Sequence, residues 1–176
     1  MNSLEMYREV LLAHNDQPHH FYALSQPTHA AHGHNPLCGD EITVHLRIEG
    51  NQIKEISFTG QGCAICKASA SLMTLRLEGQ TAADAEKDAQ GVLAWLNDAS
   101  AEQPSNLGEL EALIGVRKFP MRIKCATLAW HAFLKALNQP AISDTNKESS
   151  ASCGCCGNGS TSNGDKHPNG SCGCGS

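Results

Sequence analysis

Aromatic residues are scarce in this chain: Phe, Tyr and Trp make up 5% of it. A core must therefore be built mainly from Leu, Ile, Val, Ala and Met. Basic residues are also outnumbered, 13 Lys and Arg against 18 Asp and Glu, for a formal net charge of −5. That balance argues against the broad basic face of a nucleic-acid binder and suits a protein that docks on other proteins. No apolar run approaches the roughly 18 residues of a membrane span. The opening MNSLEMYREVLLAHN carries Glu5, Arg8 and Glu9 and has no small-residue cleavage site, so it does not read as a secretory signal. The expectation is a cytoplasmic protein without nucleic-acid or membrane partners, in a compartment that keeps thiols reduced.

What the sequence does have is cysteine, nine in 176 residues. In a reducing compartment such a number reads as metal ligands or reactive thiols, not as a disulfide framework. The length suffices for one domain with a single core.

Periodicity sets out the organisation. Residues 3–14 suit a helix, with Leu4, Tyr7, Leu11 and His14 on one face. Residues 16–37 read as loop, interrupted by Pro18, Pro27, Gly33 and Pro36 and carrying five histidines. Ile42, Val44, Leu46 and Ile48 then alternate with polar residues, a half-buried strand. Gly50-Asn51 is a two-residue hairpin signal, and QIKEISFTG is the partner strand. From Ala64 the period becomes helical, with Cys66, Ala70, Met73 and Leu77 on one face and Gly79 as a stop. Thr81 and Asp84 resemble an N-cap and capping box for a helix over 82–97. Leu107, Leu110, Leu113 and Ile114 suggest a short helix that Gly115 stops. Pro120 opens a last helix, 121–138, whose face is Met121, Cys125, Leu128, Ala132 and Ala136. After Pro140 the chain is mostly Ser, Gly, Asn and Cys, which cannot bury enough apolar surface to offset ordering. The expected fold is α+β, a small antiparallel sheet led by a hairpin and packed against helices over 1–139, followed by a disordered tail over 140–176.

Three cysteines and one aspartate stand in special settings. With Gly50-Asn51 at the turn, Glu49 faces Gln52 and, further along the same register, Cys38 faces Cys63. A bulge would shift this by one residue, and Gly60 and Gly62 invite one. Cys38 lies in the turn NPLCGD, with Asp40 two residues on. Cys63 follows GQG and precedes a helix, whose N-terminus favours thiolate. Cys125 follows FPMRIK, with Arg122 and Lys124 nearby, surroundings that also favour thiolate. Three thiolates and a carboxylate suit tetrahedral zinc, or iron in a cluster. Cys66 reads equally well as a small core residue or as a further thiol near the site.

NPLCGD, GQGCAICKASASLM and FPMRIKCATLAW resemble, in order, the three motifs of the U-type iron–sulfur cluster assembly proteins, the family of the NifU N-terminal domain, IscU and SufU. MYREVLLAH resembles the family's opening helix, and the likeness covers about 1–138. It implies the U-type scaffold fold and implies Cys38, Asp40, Cys63 and Cys125 as metal or cluster ligands. In the IscU branch a His precedes the last Cys, where this chain has Lys124. The stretch between Gly79 and Pro120 is also longer than in that branch. Both features are similar to SufU, which is associated with zinc-dependent sulfur transfer beside a SUF cysteine desulfurase. Where the family usually has Ser, this chain has Cys66.

The resemblance implies a relay in which a desulfurase persulfide passes its sulfur to this chain and on to downstream SUF proteins or apo acceptors. Cys38 is the expected acceptor, being on a turn while helices hold Cys63 and Cys125. The alternatives are a scaffold that builds a [2Fe–2S] cluster on the same residues, a structural zinc module, and a dithiol oxidoreductase using Cys63 and Cys66. His29, His32 and His34 read as polar loop residues, because four ligands are already present. The tail pairs Cys153, Cys155, Cys156 and Cys172, Cys174 would chelate soft metals, either as carriers to the main site or as a dispensable appendage.

Overall fold

A computed structural model describes residues 3–142. The expected tail, with its five cysteines, lies outside the described residues from position 143 onward. The elements are α1 (Ser3–Asp16), β1 (His29–Asn35), β2 (Asp40–Glu49), β3 (Gln52–Gln61), α2 (Ala64–Leu77), α3 (Ala82–Asn97), a 3₁₀ helix (Gly108–Lys118) and α4 (Pro120–Leu137). The three strands form one antiparallel sheet in sequence order. Its inner face packs on α4 and α2, with α1 and the 3₁₀ helix beyond α2 and α3 against α4. No helix among the described residues is long and apolar enough to cross a membrane.

The sheet has one strand more than the hairpin led us to expect. His29–Asn35, part of the stretch read as loop, is β1. Its alternation was hidden because its inward positions include Ala31, Gly33 and Asn35 in place of large apolar residues. They are small for a reason: a Cβ on Gly33 would stand 3.1 Å from Leu128 Cδ1 and 3.3 Å from Ala132 Cβ. Helix α4 therefore lies close against β1, and a larger side chain would push it away.

The β2–β3 register also departs from the simple hairpin. Glu49 faces Gln52 and Ile48 faces Ile53, but Arg47 then faces Glu55, so Lys54 is the extra residue of a bulge. The cause is the spacing of the core residues. Ile53 and Ile56 are both fully buried and three residues apart, which strict alternation cannot satisfy. The bulge thus falls beside the turn, not at Gly60 or Gly62. The ladder ends at Glu41 and Gln61, so Cys38 and Cys63 lie beyond it and are not directly paired.

Side-chain hydrogen bonds lock the helices together. Trp130 Nε1–H donates to Ser69 Oγ (3.0 Å), whose hydroxyl donates to the Ala126 carbonyl (2.6 Å), tying α4 to α2 within the core. His14 of α1 bonds Ser71 of α2 at 2.8 Å and Glu109 of the 3₁₀ helix at 3.2 Å. Thr81 caps α3 through the Asp84 N–H (3.2 Å), as the capping-box pattern predicted. Arg76 meets both carboxylate oxygens of Asp88 at 2.7 Å and also donates to the Ser105 and Asn106 carbonyls. It thereby fastens the long 79–120 stretch to α2.

Two further expectations are corrected. Gly115 does not stop its helix: Leu110, Leu113 and Val116 are buried at intervals of three, the period of a 3₁₀ helix, and the turns run on to Lys118. Ile114, out of that period, is half exposed. Met121 is exposed too, so the buried face of α4 begins at Cys125.

The Ser69 clasp is testable. Ser69→Ala leaves the buried Trp130 N–H without its acceptor and should cost about 1–3 kcal/mol. Urea unfolding measures this, and an unchanged midpoint would show that the clasp contributes nothing.

Candidate metal centre

The inner face of β2 runs Leu46, Val44, Ile42 and then Asp40, so the alternation that buries three aliphatic residues also buries a carboxylate. Asp40 is 1% exposed. A buried ionised carboxylate needs compensation. One hydrogen bond supplies part of it: the Cys63 N–H donates to Asp40 Oδ1 at 2.8 Å. Gly62 makes that approach possible, because a Cβ there would stand 2.9 Å from Asp40 Oδ1 and 3.2 Å from its Cβ. Among the described residues no Lys, Arg or His forms an ion pair with Asp40.

The thiols gather on this carboxylate from three elements. Cys38 is exposed, in the turn joining β1 to β2, where its own N–H and that of Gly39 donate to the Asn35 carbonyl (3.3 and 2.9 Å). Cys63 is the N-cap of α2; its sulfur accepts the Cys66 N–H at 3.4 Å and lies 3.7 Å from Asp40 Oδ2. Cys125, 2% exposed, comes from the second turn of α4 with its sulfur 3.3 Å from that of Cys38. Asn35 Nδ2–H donates to the Cys125 sulfur at 3.7 Å. One ligand atom each from Cys38, Asp40 and Cys125 lie within 4.8 Å of one another. Cys63 adjoins this group through Asp40.

The electrostatics correct one expectation. Cys125 lies past the first turn of α4, beyond the unpaired N–H groups that would favour thiolate. Burial, the hydrogen bonds to Asp40 and Cys38, and the negative charge of Cys63 and Asp40 push its thiol far above the ordinary range. Cys66, wholly buried on the core face of α2, is pushed up in the same way, first by burial and then by Asp40, Cys63 and Cys38. In the protein alone these groups repel one another's charge. A cation among them reverses that sign. Three thiols and a buried carboxylate that forms no ion pair among the described residues are a donor set that fits zinc or iron.

The histidines stand elsewhere. His32 and His34 are exposed on β1, His32 meeting Thr43 Oγ1 at 3.2 Å and His29 meeting Thr28 at 2.9 Å. Lys124 is exposed. Asn35 went unremarked in the sequence, and Gly62 was read only as a possible bulge position. Both stand inside the quoted motifs, Asn35 opening NPLCGD and Gly62 preceding Cys63, but only the three-dimensional arrangement gives them partners. Gly62→Ala should displace the Asp40 carboxylate and weaken cation binding by about 10–100-fold. Competition against a chromogenic chelator measures this, and unaltered affinity would remove Asp40 from the centre.

Comparison with known proteins identifies the family. Residues 6–126 match the family described as NifU-like N terminal domain. The chain is 37% identical over 136 residues to the iron–sulfur cluster assembly scaffold protein IscU of Streptococcus pyogenes serotype M1, covering 77% of this chain and 85% of that one. It is 35% identical over 132 residues to the zinc-dependent sulfurtransferase SufU of Bacillus subtilis, covering 75% of this chain and 89% of that one. Its fold is similar, with TM-score 0.70 and 28% identity, to the crystal structure of a proposed iron–sulfur cluster assembly scaffold protein for the SUF system from Fervidobacterium islandicum AW-1, over 77% of this chain and 99% of that one. Fold, motifs and matches together make this chain a member of the NifU-like N-terminal domain family, the U-type iron–sulfur cluster assembly proteins.

Proposed function

We propose that this chain serves iron–sulfur cluster assembly as a sulfur acceptor: it takes persulfide sulfur from a cysteine desulfurase of the SUF type on Cys38 and passes it to downstream SUF proteins or apo acceptors. Zinc held by Cys38, Asp40, Cys63 and Cys125 would keep the thiols deprotonated at neutral pH without redox chemistry of its own. The observation that carries the reading is the contrast among the thiols. Cys125 is buried, and of the two exposed cysteines Cys38 lies on a turn, whereas Cys63 caps a helix and its sulfur is engaged by the N–H of Cys66.

The step follows from that contrast. The Cys38 thiolate attacks the outer sulfur of the desulfurase persulfide. A new S–S bond forms at Cys38, the S–S bond on the desulfurase breaks, and the desulfurase cysteine leaves as thiolate, with no net oxidation. Asp40, fixed by the Cys63 N–H, stays in place while Cys38 reacts. Leu37 and Met121, each more than half exposed, stand next to Cys38 and one turn before Cys125, an apolar margin suited to a docking protein. Lys124, in place of the His of the IscU branch, and the long segment forming α3 and the 3₁₀ helix support the SufU side of the family.

A second reading keeps the same residues. The streptococcal relative is named a scaffold, and three thiols with a carboxylate could hold a [2Fe–2S] cluster as cargo. Incubation with a SUF desulfurase and cysteine, followed by mass spectrometry of the zinc-loaded full chain, separates the two. One added sulfur on Cys38, and loss of desulfurase stimulation in Cys38→Ser, are the expected results. Sulfur mapping to Cys63, Cys125 or the tail, or a coloured transferable cluster with no persulfide, would overturn the relay.

A further inference from the structure

The inner faces of β1 and β2 end on a polar rung. Above it the cross-strand pairs are apolar or small: Ala31 with Val44, then Gly33 with Ile42. The last pair is Asn35 with Asp40, and both side chains are buried, Asn35 at 6% exposure. Directly paired residues of an antiparallel ladder share a face. The carboxamide and the carboxylate therefore enter the centre side by side.

Asn35 is fully engaged. Its Oδ1 accepts the Leu37 N–H at 3.2 Å, and its backbone carbonyl accepts the Cys38 and Gly39 N–H groups. These bonds fold the turn that carries Cys38. The Leu37 bond also settles the orientation of the carboxamide, since the oxygen faces Leu37 and the NH₂ must face the other way. That NH₂ donates to the Cys125 sulfur. One residue thus holds both thiols of the pair that lies 3.3 Å apart.

We propose that Asn35 is a positioning residue of the centre: it sets the Cys38–Cys125 separation from both sides and directs an N–H to the Cys125 sulfur alone. An N–H bond to a thiolate stabilises it as a ligand and draws off the electron density that makes it a nucleophile. Cys125 is thereby kept as the anchored sulfur and Cys38 left as the reactive one. Asn35 touches neither the incoming sulfur nor its donor and acts through the two cysteines. The inference rests on the reading of Cys38 as acceptor, but its test reaches the two thiols directly.

Asn35→Ser and Asn35→Ala divide its roles. Serine can still accept the Leu37 N–H but is too short to reach Cys125; alanine does neither. In both variants zinc affinity should fall by about 10–100-fold. Timed iodoacetamide labelling of the zinc-loaded chain, in which both sulfurs would be held as thiolates, read by mass spectrometry, should show Cys125 gaining about tenfold in rate relative to Cys38. Wild-type zinc affinity and wild-type labelling ratios in folded variants would overturn the proposal. Should the variants not fold, NMR of the wild-type chain decides: slowly exchanging Asn35 side-chain amide protons that shift on zinc loading support it, and fast-exchanging, unshifted ones overturn it. Labelling without desulfurase separates the two failures. If sulfur maps away from Cys38 while the labelling ratio still depends on Asn35, the relay falls and the positioning role stands.

Discussion

A carboxylate buried beside three thiols is the constraint around which this domain is arranged. Asp40 sits at the end of an aliphatic stripe, and the one N–H it accepts, from Cys63, offsets only part of its desolvation. Beside it the Cys125 thiol is pushed far above its ordinary range, first by burial, then by its hydrogen bonds to Asp40 and Cys38 and by the charge of Cys63 and Asp40. A cation at this point would offset that repulsion.

The scaffold can be followed back from that point. Cys63 reaches Asp40 because it caps α2 and because Gly62 leaves space for the carboxylate. Cys125 reaches it because α4 lies tight on Gly33 of β1 and is clasped to α2 through Trp130 and Ser69. Cys38 reaches it because Asn35 folds the intervening turn. The segment from Gly79 to Pro120, which Arg76 fastens to α2, contributes none of these residues. Cys66 contributes its backbone N–H to Cys63 while its thiol packs in the core.

Much of this was legible in the residues. The strong alternation of Ile42 to Ile48, the Gly50-Asn51 turn, the Thr81 cap and Pro120 placed their elements within a residue or two. The motifs pointed to Cys38, Asp40, Cys63 and Cys125; ligand atoms of Cys38, Asp40 and Cys125 lie within 4.8 Å of one another, and Cys63 adjoins them through Asp40. What was hidden has a common cause: tertiary packing decided it. β1 carries no apolar stripe because a helix lies on it, so HAAHGHN read as loop. The bulge at Lys54 answers to Ile53 and Ile56 meeting the same core. The raised Cys125 thiol depends on burial and on charges from β2 and α2, which the basic neighbours Arg122 and Lys124 in sequence did not suggest.

The identity of the atoms around a bound ion is the decisive observation. X-ray absorption at the zinc edge of the zinc-loaded full chain, paired with the same measurement on Asp40→Ala, reads the donor set directly. Three sulfurs at about 2.3 Å and one oxygen at about 2.0–2.2 Å, with the protein oxygen lost in the variant, are the expected result. A shell of four sulfurs, or one with nitrogen, that is unchanged by the loss of Asp40 would contradict it.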